Sequence, residues 1–299
     1  MVELSALVAE ATGDVDAATQ AYEQLAALDP TATLPAIRLA ALELDYNDDP
    51  DRALELLAAA EPRITDPEDR IEAIFTRTKA YVAKADRAAA LATLTAIDAI
   101  TLAAGDREPL ATLALEAEAP ELALSFAQPL LAEPELEPAE RANVLHLLGA
   151  IYAELGRDAD MAQAWRGCRD LDAQTVATPV VDLSNDELDA IASAALAELP
   201  ANARQLLERV PILVDEAPSD ALIADGVDPR LLGLFQGTPL PEGGDLAPSV
   251  TAIWLFRRNL MQLSESRDDV VEEVRITVLH ETAHYFGMDE ADLEELGLD

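Results

Sequence analysis

Four alanines stand 35 residues apart, Ala18, Ala53, Ala88 and Ala123, and Met161 follows 38 residues after the last. A fixed period of this length marks stacked supersecondary units, each unable to bury its apolar face without a neighbour. A break segment precedes each anchor: Gly13-Asp14-Val15-Asp16, Asp48-Asp49-Pro50-Asp51, Ala83-Lys84-Ala85-Asp86, Glu118-Ala119-Pro120-Glu121 and Gly156-Arg157-Asp158-Ala159. Asp49-Pro50 reads as an N-cap followed by proline at the first helical position, where the missing N–H costs nothing. Four residues beyond each anchor stand Tyr22, Leu57, Ala92, Ala127 and Trp165; three further come Leu25, Ala60, Thr95, Leu130 and Cys168. A small residue followed by apolar positions one and two turns on is a helix face packed closely against a neighbour. The spacing predicts stacked helix pairs.

The last unit carries Leu148-Gly149-x-x-Tyr152 and then Trp165, and the first unit closes with Leu28-Asp29-Pro30. In these residues the chain resembles the tetratricopeptide repeat (TPR), a helix–turn–helix unit of ~34 residues. The middle units lack the glycine and most of the aromatics. The resemblance covers residues 1–172. It implies an all-α TPR-like array that serves as a protein-binding scaffold. His146, alone in Asn143-Val144-Leu145-His146-Leu147-Leu148, reads as a packed or hydrogen-bonded histidine rather than a ligand. Cys168 sits at a repeat-packing position and reads as a small buried hydrophobe.

Charge narrows the range of partners. The chain has 58 acidic residues against 20 basic ones, a formal net of −38. Before residue 175 the balance is 33 to 13, and after it 25 to 7, so the acidity belongs to the whole surface. Such a surface repels phosphate backbones and anionic lipid, which argues against nucleic acid and membrane as partners. It favours a basic protein or peptide. A single cysteine excludes an intrachain disulfide and any multi-cysteine metal cluster. The N-terminal Met1-Val2-Glu3-Leu4-Ser5 has no basic segment ahead of an apolar run, and no stretch nears the ~18 apolar residues of a membrane span. The expected compartment is the cytoplasm.

Beyond a linker at Ala173–Asp182, residues 183–299 read as a small α+β domain. Ser184-x-x-Glu187 is a capping box opening an amphipathic helix that Pro200 stops. A second helix is expected over Asn202–Val210. Strands are expected at Ile212–Val214, Leu231–Phe235 and Thr251–Phe256, with Arg257-Arg258-Asn259 closing the last. Gly237–Gly244 reads as loop. The β-branched and aromatic run Thr251–Phe256 is the candidate edge for an extended peptide.

The final long helix is expected to begin near Asp268 and carries His280-Glu281-Thr282-Ala283-His284, an H-E-x-x-H sequence. Two histidines four apart leave one helix face and can reach a single Zn²⁺ at ~2.0–2.1 Å. Glu281 projects about 100° round the helix, where it can reach a water on the metal as general base. A catalytic zinc wants three protein ligands and one open position. Gly287 can end the helix and turn the chain back. Asp289, Glu290 and Asp292 follow it; Asp289 suits the N-cap of a terminal helix Glu290–Leu296, with Asp292 as its partner. Glu290 is therefore the preferred third ligand, with Asp289 the alternative.

Residues 183–299 resemble the minimal zincin-like family, small bacterial proteins regarded as zinc metallopeptidases. The match lies in Leu183-Ser184-Asn185-Asp186-Glu187, in Leu232–Leu240, in Ile253-Trp254-Leu255-Phe256-Arg257-Arg258 and above all in Val278–Glu290. The resemblance implies that His280, His284 and an acid ten residues after the first histidine bind zinc, with Glu281 as base. The family usually places Asp at that position, so Glu290 is a departure. The resulting expectation is a zinc-dependent peptidase whose TPR-like array recruits substrate. The alternative is an interaction scaffold whose zinc is structural.

Overall fold

The computed structural model describes residues 2–99, 102–175, 179–199, 204, 207, 210–237 and 250–285. The chain divides into two compact units: Met1–Leu136 with Ala150–Gly156, and Glu137–Gly149 with Arg157–Asp299.

The first unit is an array of antiparallel helix pairs. The pairs are α1 (Val2–Ala11) with α2 (Val15–Leu28), α3 (Leu34–Asn47) with α4 (Pro50–Ala60), α5 (Pro67–Ala83) with α6 (Arg87–Thr95), and α7 (Ala104–Glu116) with α8 (Pro120–Ala127). A further pair, α9 (Pro138–Glu154) with α10 (Asp158–Thr175), is divided by this split: α9 up to Gly149 and all of α10 belong to the second unit. Every pair turns on one residue with positive φ: Gly13, Asp48, Ala85, Glu118 and Gly156. Each stands two residues ahead of its second helix. The following residue then works twice. The Asp14 N–H bonds the Ala9 carbonyl at 2.9 Å and the Asp86 N–H bonds that of Tyr81 at 2.9 Å, closing the first helix. The side chains of Asp14, Asp49 and Asp86 accept from the N–H groups of Ala17, Arg52 and Ala89, opening the second.

These turns correct the register of the third repeat. Ala88, Ala92 and Thr95 are exposed, while Ala90, Leu94 and Ile97 are buried. The anchors that pack are thus Ala18, Ala53, Ala90, Ala123 and Met161, each three residues into its helix. The left-handed turn residue, not a constant period, sets the phase. Helix α10 runs to Thr175, three residues into the segment expected as linker.

In the second unit, Ser184 and Glu187 form the expected capping box of α11 (Asn185–Glu198). Three strands follow: β1 (Ile212–Asp215), β2 (Gly233–Gly237) and β3 (Val250–Phe256), in the order β1-β3-β2. β1 runs parallel to β3, with Ile212 beside Ile253, and β2 runs antiparallel to it, with Gly233 beside Leu255. β3 is therefore the central strand, not an edge, and both its flanks are spent on backbone pairing. Its β-branched and aromatic content reflects burial on both sides. Three further helices are α12 (Asp220–Ala224), α13 (Arg257–Leu263) and α14 (Arg267–Tyr285). Arg257–Asn259 ends β3 as the first turn of α13.

The core of this unit gathers Leu188, Ala192 and Ala195 of α11, Leu255 of β3, Leu260 and Met261 of α13, and Val270, Val274 and Val278 of α14. The three valines at i, i+4 and i+8 bury one face of α14 along its length. The helix expected over Asn202–Val210, most of the loop at Gly237–Gly244 and the helix expected over Glu290–Leu296 lie outside the described residues. No helix among the described residues is long and apolar enough to cross a membrane.

Candidate metal centre

Helix α14 carries the histidine motif. Its start is fixed by a reciprocal cap: the Ser266 N–H bonds Asp269 Oδ2 at 2.8 Å, and the Asp269 N–H bonds Ser266 Oγ at 3.2 Å. From there the helix continues unbroken to Tyr285, so positions 280 and 284 lie one turn apart on one face. His280 is half-buried, next to buried Leu279 and one turn beyond buried Thr277. Thr282, inside the motif, is 1% exposed, and its hydroxyl has no hydrogen-bond partner. It extends the buried line of Val270, Val274 and Val278, pinning this turn of the helix into the core.

Strand β2 lies against the same helix. A Cβ built on Gly233 would sit 2.4 Å from Thr277 Cγ2 and 2.9 Å from the Trp254 carbonyl oxygen. Only glycine allows that approach, which sets the strand one helical turn from His280. Among the described residues β2 has a strand on one side only.

The backbone thus places His280, Glu281 and His284 on one rigid helix. The side chains of Glu281 and His284, together with Gly287, Asp289, Glu290 and Asp292, lie outside the described residues. Among those that are described, no three His, Cys, Asp or Glu side chains gather as a metal site. The donor chemistry itself fits zinc: two imidazoles at four-residue spacing on a packed helix, with carboxylates following Gly287 in the sequence.

Several groups that hold this unit together escaped the sequence reading. The buried Asn259 side-chain amide donates to the carbonyls of Pro229 at 2.9 Å and Leu231 at 2.7 Å, fixing the approach to β2. A polar residue directly ahead of the apolar Leu260-Met261 was the available signal. Arg257 donates to the Leu183 carbonyl at 2.7 Å and to Glu216 at 2.9 Å, and it also pairs with Asp182. Arg230 grips Asp172 of α10 with two bonds of 2.9 Å. His146 Nε2 lies 2.7 Å from Asp228 Oδ2, in keeping with a hydrogen-bonded structural histidine. Cys168 is fully buried, and burial pushes its thiol up to about 12, so it is inert as a nucleophile.

Residues 207–298 match the model of a family described as zincin-like metallopeptidase. The match falls within the second unit and takes in the helix that carries the histidine motif. Two solved structures of MamA align with 59% and 56% of this chain and with 95% and 93% of their own. They do so at 17% and 18% identity, with TM-scores of 0.45 and 0.43. No curated protein gives a significant match.

Proposed function

We propose that this chain is a cytoplasmic zinc-dependent peptidase whose repeat array recruits a protein or peptide substrate. The observation that supports it most is H-E-x-x-H on a single unbroken helix whose other face is locked into the core by three valines. A helix so held has its backbone ordered before any metal arrives. His280, His284 and Glu290 would hold the metal. A zinc held there would supply a Lewis acid for the scissile carbonyl and for the attacking water. Glu281 takes the proton of that water and delivers it to the leaving amine as the C–N bond breaks. β3 has a strand on each side, so the edge role expected of it for an extended peptide is withdrawn.

Zinc stoichiometry tests the ligand set. Wild-type protein should hold one zinc per chain, and His280→Ala and His284→Ala should each lose it. Glu290→Ala should weaken binding while Asp289→Ala does not. Undiminished zinc in the two histidine variants would remove the site.

A further inference from the structure

Arg38 on α3, Glu72 on α5 and Asp106 on α7 stand 34 residues apart in the sequence, on the first helices of successive pairs. Beside the last two of these, α5 and α7 leave a cleft of about 450 Å³. Helix α5 contributes Glu68, Ile71, Glu72 and Phe75, which share one face at helical spacing; α7 contributes Asp106, Pro109 and Leu110. The floor is apolar: Leu110 is buried, and Ile71 and Phe75 are half-buried. Every ionisable residue in the lining is acidic.

The cation that pairs with Glu72 is already shared. Arg38 Nε sits 3.0 Å from Glu72, while its Nη1 is 3.9 Å from Glu10. Burial raises the Glu72 carboxyl above its ordinary range; Arg38 opposes this, and Asp69 and Glu10 add to it. A second cation reaching this partly desolvated carboxylate would favour its charged form. The volume admits one or two side chains, not a folded surface.

We infer that this cleft docks a basic segment of a protein partner, taking an Arg or Lys head onto Glu68, Glu72 and Asp106 with apolar neighbours on Ile71, Phe75 and Leu110. This rests on the reading of the array as a recruiting module, and it names the chemistry that the array selects. A long basic side chain suits such a site because its methylene stem covers apolar surface while its head meets carboxylate. A free polyamine would satisfy the acids and leave the floor bare.

The test uses the full-length chain carrying Glu281→Gln, so that no probe is cut, and reads fluorescence anisotropy. The probes are labelled peptides of alternating Leu and Arg, of Gly and Arg, and of Leu and Glu, with spermidine as competitor. The Leu-Arg peptide should bind, and Glu68→Gln with Asp106→Asn should weaken it about tenfold. Glu23→Gln with Glu121→Gln, the same charge change at exposed positions elsewhere, should alter it less than about twofold. The inference is overturned if both pairs weaken binding equally, since the attraction is then diffuse. It also falls if Gly-Arg or Leu-Glu peptides bind as well as Leu-Arg, or if spermidine displaces the peptide at equal concentration. Zinc content and turnover are read separately, so failure here leaves the peptidase reading standing, and the reverse holds too.

Discussion

The array and the second unit are fixed by different means. In the array one device recurs at each turn: a left-handed residue, then a residue that closes one helix and, three times as an aspartate, opens the next. In the second unit the decisive bonds occur once each, between residues far apart, as with Asn259 and the carbonyls of Pro229 and Leu231. A defect in a repeated local device costs one turn. A defect in a unique long-range bond costs the register of everything it holds, including the strand next to the motif helix.

The largest effect should come where packing tolerates nothing. A Cβ on Gly149 would meet Trp165 Cδ1 at 2.0 Å, and the indole is held by its N–H bond to the His146 carbonyl at 3.1 Å. Gly149→Ala should therefore cost about 1–3 kcal/mol in denaturant unfolding. Wild-type stability would mean that the ring moves freely. Asn259→Leu removes both amide donors and strands two carbonyls, for a loss of about 1–3 kcal/mol. Hydrogen exchange should locate the loosening around β2; uniform exchange would deny the bond its positioning role.

Against these, a change in one array turn should be small and of opposite sign. Ala85 holds φ +53°, a conformation that alanine resists and glycine accepts. Ala85→Gly should stabilise the chain by about 0.5–1 kcal/mol, whereas Gly156→Ala should destabilise it by a similar amount. If Ala85→Gly lowers the melting temperature, the turns are not the independent devices described.

The smallest effect is pH-dependent. Backbone and side-chain bonds from Ser184, with Arg267, hold the Glu187 carboxyl at about 2 against an ordinary 4.5. A carboxylate depressed in the folded state stabilises fully above its unfolded value, and that contribution is lost as pH falls toward the folded one. Glu187→Gln should therefore lower the melting temperature at pH 7, with the gap to wild type closing between about pH 4.5 and 2. A constant gap across that window would assign the effect to packing.

The sequence spoke most clearly where glycine marks the turn. Gly13 and Gly156 identify the first and last pairs, but the middle turns use Asp48, Ala85 and Glu118 at the same φ, which hides their phase. A constant period then put Ala88 in the core, two residues short of Ala90. In the second unit the strands were legible from β-branched and aromatic runs, yet their order was not. Pairing β1 in parallel with β3 joins residues some forty positions apart, and no local pattern encodes it. The H-E-x-x-H helix was legible because both its chemistry and its periodicity are local. The glycine at 233, which lets β2 approach that helix, became meaningful only with Thr277 beside it.

The central claim is that Glu281 moves the proton in peptide hydrolysis by a zinc-loaded chain. Cleavage of a peptide library by wild type and Glu281→Gln, at matched zinc content, tests it most directly. The account predicts cleavage by wild type and a loss of about 10²–10⁴-fold in Glu281→Gln, with zinc retained. A Glu281→Gln chain that cleaves as fast as wild type at full zinc occupancy would contradict it.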